Sequence, residues 1–291
     1  MPHRKVLPAE EIKHRMYNIF QHMPKDYWYV RGASELMEIE SITGKIEYAE
    51  KLLQESEDVL ETMDSNLHRA RGYAELAKGC IAMGLLEDAK KYIEQGRVYA
   101  EKCGQREERE RALARVLAVE IKYLRAMEDV EGIISMLNHR FELEYWSDYL
   151  FANAFQALLD LEEYEYVLNS VDSITEPYSK ARVLSKLSRF DHTYVLPAIE
   201  SAEKCSTEMK PRALAAVALN ICGIDHARGI QCLEQAIKCT QHIQGRALYR
   251  AIDEIVEAMV AYGMDPASIL ELLPENYWKL RSLAHILRRH E

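Results

Sequence analysis

The sequence predicts an all-α fold, a solenoid of about seven stacked helical pairs, on three observations. The first is an arginine that returns at near-constant intervals: Arg31, Arg71 and Arg111, then Tyr149 in its place, then Arg182, Arg212, Arg246 and Arg281. The steps are 40, 40, 38, 33, 30, 34 and 35 residues, inside the range that marks repeat arrays. The second is the company this marker keeps. Three positions on, the residue is small in Ser34, Ala74, Ala114, Ala152, Ser185, Ala215 and Ala284, with Tyr249 the exception. Five positions on it is apolar: Leu36, Leu76, Val116, Ala154, Leu187, Val217, Ala251 and Ile286. Small and apolar residues at these offsets describe a helix with one closely packed face and one core face. The third is composition. Only 12 Gly and 8 Pro occur in 291 residues, with no run of alternating β-branched residues, so a sheet-rich chain is excluded.

In chain order, residues 1–7 read as a tail and Pro8 to Met23 as a helix. Its stripe is Ile12, Met16, Ile19, Phe20 and Met23, at helical spacing. It is expected to cover the exposed end of the first helical pair, giving an N-terminal cap over residues 1–23. Helical pairs then fill residues 24–273, with joints near Met63–Asn66, Gly104–Glu107, Asn138–Leu143, Thr175–Pro177, Ser206–Pro211 and Thr240–Gly245. The 30-residue step from Arg182 to Arg212 predicts shortened helices or loops there. Residues 274–291 read as one amphipathic capping helix ending in Arg288-Arg289-His290, where basic residues complement the helix dipole.

Each pair carries a second helix. In the second pair Gly84 breaks the first helix, and Leu86, Ala89, Ile93 and Gly96 then recur at three- and four-residue steps. A helix pair this short cannot bury its apolar face alone, and stacking on the next pair solves that. Here the chain resembles the tetratricopeptide repeat: Tyr73, Leu76, Ala77, Cys80, Gly84, Ala89, Ile93 and Gly96 stand at that family's eight signature spacings. The first pair repeats part of the signature in Leu36, Gly44 and Ala49. The resemblance implies a right-handed α-solenoid over roughly residues 25–290.

The resemblance also implies a site. In that family the second and sixth positions of the first helices face a concave groove, and basic residues there clamp a partner's carboxylates. The marker is the second position, which makes Arg71, Arg111, Arg182, Arg212 and Arg246 groove candidates. The sixth adds Arg115, Lys186 and Arg250. Fixed guanidinium forks suit carboxylate or phosphate recognition. The alternative is a structural ladder in which each Arg pairs with a Glu of the adjacent helix, and Glu35 and Glu75 at the sixth position support it. The family's asparagine-and-lysine clamp pattern is not complete, so chaperone-tail binding is not supported.

Aromatic residues keep the same phase. Pro24-Lys25-Asp26-Tyr27-Trp28-Tyr29-Val30-Arg31 is echoed by Pro274-Glu275-Asn276-Tyr277-Trp278-Lys279-Leu280-Arg281, and Tyr145-Trp146 precedes Tyr149 at the same offset. These pairs are either anchors wedged between neighbouring helical pairs or hot spots on a binding surface.

Net charge is −10 with no basic block, which disfavours nucleic acid as a partner. No apolar stretch is long enough to span a membrane, and the N-terminus lacks the apolar core of a secretory signal. Six cysteines without a CxxC pair fit a reduced, cytoplasmic protein. Cys239 with His242, and Cys222 with His226, have spacings that zinc uses, but they do not assemble four ligands. Glu11-x-x-His14 stands alone, where a di-iron bundle needs two such motifs. Neither a nucleophile elbow nor a phosphate loop is present. The expected role is therefore non-catalytic, with no cofactor or metal: a scaffold or adaptor that holds a peptide or protein, possibly acidic, in the groove. The alternatives are a regulatory or self-assembling subunit using the terminal helix Tyr277 to Arg289, and a helical-repeat enzyme whose site the sequence hides.

Overall fold

The protein is described from a computed structural model, which covers residues 8–138, 143 and 146–289. Among the described residues, sixteen α-helices and three short 3-10 turns make up the regular structure, and there is no strand. The helices pack in a repeat-like arrangement, and the chain divides into two compact units. One unit is His22–Tyr166. The other joins Met1–Gln21 to Val167–Glu291.

The first unit opens with α2 (Tyr27–Ile42), whose start is fixed by Asp26: its carboxylate accepts the Trp28 N–H at 2.8 Å, satisfying a donor that the helix itself leaves unpaired. α3 (Ile46–Glu61), α4 (Asn66–Ala82), α5 (Leu86–Glu101), α6 (Arg106–Ala126), α7 (Val130–Asn138) and α8 (Ser147–Asp160) follow. Gly44 and Gly84 turn the chain between the two helices of a pair with φ of +75°, a conformation open to residues without a Cβ. Glu128 and Glu162 make the corresponding turns in the next two pairs, at φ 55° and 64°. The first helices α2, α4, α6 and α8 lie side by side in that order. The second helices α3, α5 and α7 each pack on the first helix of their own pair and on that of the next.

The marker's neighbours explain this packing. Ser34, Ala74, Ala114 and Ala152, the small residues, are buried, as are Leu36, Leu76, Val116 and Ala154. Gly72 allows a close approach within this unit: a Cβ there would overlap the Leu60 side chain of α3.

The second unit runs through α10 (Pro177–Leu187), α11 (Val195–Glu203), α12 (Lys210–Ile221), α13 (His226–Cys239), α14 (Gly245–Ala261), the short α15 (Ala267–Leu270) and α16 (Tyr277–Leu287). Its first helices α10, α12, α14 and α16 again lie in order, with α11 and α13 bridging neighbours. α10 and α11 have 11 and 9 residues, which is how the shortest marker step is accommodated. Asn276 caps α16 through Trp278 N at 3.0 Å, the counterpart of Asp26 on α2. α9 (Tyr164–Ser170) carries the chain across the division.

The N-terminal helix α1 (Ala9–Gln21) belongs to this second unit. The sequence reading seats it over the first helical pair; in the structure it packs on α16. Ile12, Met16, Ile19 and Phe20 are buried. Arg15 adds ion pairs to Glu271 at 3.2 Å and Glu275 at 3.1 Å, and Lys279 meets Glu275 at 2.7 Å.

Candidate functional site

The marker arginines fall into two groups. In the His22–Tyr166 unit, the Glu75 carboxylate on α4 is shut away from solvent. Arg31 of α2 sets its Nε 3.0 Å from Glu75 Oε1, and Arg115 of α6 sets its Nη2 2.8 Å from the same oxygen. Burial alone would raise the Glu75 pKa, but the Arg115 and Arg31 cations overcome it and hold it at about 2. Lys78, one turn further along α4, pairs with Glu35 at 2.9 Å. These contacts form the ladder of the sequence alternative, built between adjacent first helices.

Arg71 and Arg111 stand outside it. Each is half-buried, and among the described residues neither has a carboxylate partner. Arg71 rests on the Tyr27 ring, 4.5 Å from its centroid, and the exposed imidazole of His68 stacks on the same ring at 5.4 Å. Burial lowers the Arg71 pKa, and Arg111, Arg31 and Arg115 reinforce that against Tyr27. Lys122 of α6 is open to solvent by surface area yet closely surrounded by protein. That confinement, together with Lys78 and Arg115, pushes its ammonium pKa down.

The second unit reuses the same parts. Tyr178 lies four residues before its marker, as Tyr27 does, and carries two guanidiniums on its ring: Arg182 at 5.5 Å and Arg212 at 4.5 Å. Here the second arginine is neutralised. Arg212 Nε donates to Glu254 Oε1 at 2.9 Å, and the Tyr178 hydroxyl donates to the same oxygen at 2.9 Å. Burial would lower the Arg212 pKa, and Glu254 raises it instead. Burial and Glu254 together raise that of Tyr178. On α16, Arg281 Nε meets Asp253 at 3.1 Å, and His285 lies 3.4 Å from the other Asp253 oxygen. Arg182 and Lys186 are half-buried on α10, while Arg246 and Arg250 are exposed on α14.

The aromatic pairs are placed as follows. Tyr27, Tyr277 and Trp278 are buried. Trp28 is half-buried beneath Arg31, whose guanidinium lies 5.4 Å from its ring, and Trp146 meets Tyr149 edge-on at 5.9 Å. Tyr145 lies outside the described residues. The apolar side of α16 is occupied: Leu280, Leu283, Ala284, Ile286 and Leu287 are all buried. Cys222 donates its thiol to the Ala261 carbonyl at 3.4 Å, and no group of three potential metal ligands comes together among the described residues.

Sequence reasoning missed Tyr178, His68, Lys122, Glu254 and Asp253. The first two were accessible to it. Tyr178 keeps the phase of Tyr27 and Tyr277, and His68 that of Trp28 and Trp278. Asp253 and Glu254 stand seven and eight positions beyond Arg246, where the fifth-residue pattern gives no hint of a partner.

No protein-family profile matches the chain, nor does any curated protein. Among solved structures, the crystal structure of Ton1535 from Thermococcus onnurineus NA1 aligns with 95% of this chain and 98% of that one, at 13% identity and a TM-score of 0.41.

Proposed function

We propose that the chain is a non-catalytic scaffold that holds an acidic segment of a protein partner along the first helices of the His22–Tyr166 unit. The helical pairs read best as a tetratricopeptide-like, right-handed solenoid. In that arrangement α2, α4, α6 and α8 line a concave side, as stacked repeats with a small rotation per step do. One observation carries the reading. Arg71 and Arg111, at successive marker positions, are half-buried cations without a carboxylate among the described residues, whereas Arg31, Arg115, Arg212 and Arg281 are each committed to one. Held, uncompensated guanidiniums in a protein of net charge −10 favour an incoming anion over the protein's own acids.

The test is affinity capture from native host extract followed by mass spectrometry. Arg71→Glu combined with Arg111→Glu is expected to lose a protein that wild type and an Arg246→Glu/Arg250→Glu control both retain. Helicity by circular dichroism should stay at the wild-type level. Equal recovery of the same proteins by a folded double variant and by wild type contradicts the proposal.

A further inference from the structure

We infer that His68, Arg71 and Arg111 form a site for a dianionic phosphoryl group, either free or carried on a side chain of the partner. This inference rests on the proposed binding face and names the chemistry that the face takes.

The argument starts from a local imbalance. Arg31, Arg71, Arg111 and Arg115 come together on three adjacent helices, and one carboxylate, Glu75, serves two of them. Lys78, the next cation along α4, is already held by Glu35 and Glu38. A single carboxylate ligand would leave one of the two remaining guanidiniums uncompensated. A phosphate monoester carries roughly −1.5 to −2 charges at neutral pH and three acceptor oxygens, which matches two forks and an imidazole.

The donors are also positioned before any ligand arrives. Tyr27 is 4% exposed, and its ring supports both the Arg71 guanidinium and the His68 imidazole. Cation–π support holds a guanidinium in place without consuming its N–H donors. His68 and Arg71 are one turn apart on α4, and Arg111 is the equivalent residue on the packed neighbour α6. The second unit provides the internal contrast. There Arg212, in the place of Arg71 on the Tyr178 ring, is closed by Glu254, so the same frame exists with its anion built in.

His68 supplies a readout. Although its surface is open to solvent, crowding by the surrounding protein lowers its pKa, Arg71 and Arg111 add to that, and Asp26 and Glu108 oppose it. Tyr27 faces it as the stacked ring. A bound dianion favours the charged imidazole, so bound phosphate must raise the His68 pKa.

The experiment follows the His68 C2–H proton resonance of the full chain, assigned with His68→Gln, at constant ionic strength. Three probes are titrated separately: inorganic phosphate, acetate, and a short phosphoserine peptide with neutral flanks. Phosphate is expected to give a saturable shift with half-saturation on the order of 1–10 mM and to raise the His68 pKa. Arg71→Gln with Arg111→Gln should weaken it about tenfold or more, and acetate should be weaker than phosphate by a similar factor. Tighter binding of the phosphopeptide than of phosphate assigns the group to a polypeptide; equal binding assigns it to the free ion. A linear response, or one unchanged in the double variant, overturns the site. Acetate saturating as readily as phosphate overturns the dianion and leaves the acidic-segment scaffold standing. Loss of partner capture without any phosphate response likewise separates the two ideas.

Discussion

Arg115 reaches back 40 residues along the chain to place its Nη2 2.8 Å from Oε1 of Glu75, a carboxylate closed off from solvent. Arg31 shares that oxygen from the other side, so three successive first helices are tied at one atom. Removing one member of a buried ionic cluster leaves uncompensated charge, which costs far more than losing a surface pair. Glu75→Ala is therefore expected to lower unfolding stability by about 3–5 kcal/mol in urea titration.

The same carboxylate sets an acid limit. Its folded pKa of about 2 lies below the ordinary 4.5, so its contribution is complete above pH 4.5 and is lost as pH falls towards 2. Glu75→Gln should flatten the stability profile across that interval. A variant profile as steep as wild type would show that other groups govern the acid transition.

His285 acts in the opposite direction. Burial would lower its pKa, but Asp253 and Glu257 raise it above the ordinary 6.5, with Arg281 in opposition. A raised folded pKa contributes stability below 6.5 that disappears as pH rises through the folded value. Unfolding midpoints of wild type should thus decline on the alkaline side of pH 6.5, and His285→Gln should remove that decline.

At α1, apolar burial should outweigh its ion pairs. Phe20 is 3% exposed, and Phe20→Ala is expected to cost about 3–5 kcal/mol. Arg15 pairs with acids that are more than half exposed, so Arg15→Ala should cost no more than about 1 kcal/mol. Chemical denaturation of the two variants gives the comparison. The reverse order would mean that charge holds the N-terminal helix.

Gly229 is a packing requirement that helix propensity would misjudge. A Cβ there would run into the Tyr262 hydroxyl, which donates to the Ala218 carbonyl at 2.9 Å. Gly229→Ala should destabilise by about 1–3 kcal/mol despite alanine's better helix propensity. Adding Tyr262→Phe should recover part of the loss in thermal melts.

The helical class and most joints were legible because their causes are local. A periodic apolar face, Gly44 and Gly84 at left-handed turns, and small residues three past the marker all act within one pair. Ser34, Ala74, Ala114, Ala152, Ser185, Ala215 and Ala284 are indeed buried. What escaped depends on partners distant in sequence. Nothing in the α1 stripe says that it packs on α16, or that Arg15 meets Glu271, 256 residues away. Likewise the arginine phase could not say which guanidiniums meet a carboxylate. Arg31 and Arg71 occupy the same repeat position, yet the first meets Glu75 and the second rests on Tyr27. That difference comes from which acid the neighbouring helix presents, a property of two helices rather than one.

Hydrogen–deuterium exchange of the full chain with its captured partner tests the scaffold most directly. Protection is expected to concentrate on α4 and the first half of α6, around Arg71 and Arg111, with α3, α5 and α13 unchanged. Protection confined to those second helices, or absent from α4 and α6 at saturating partner, would contradict the account.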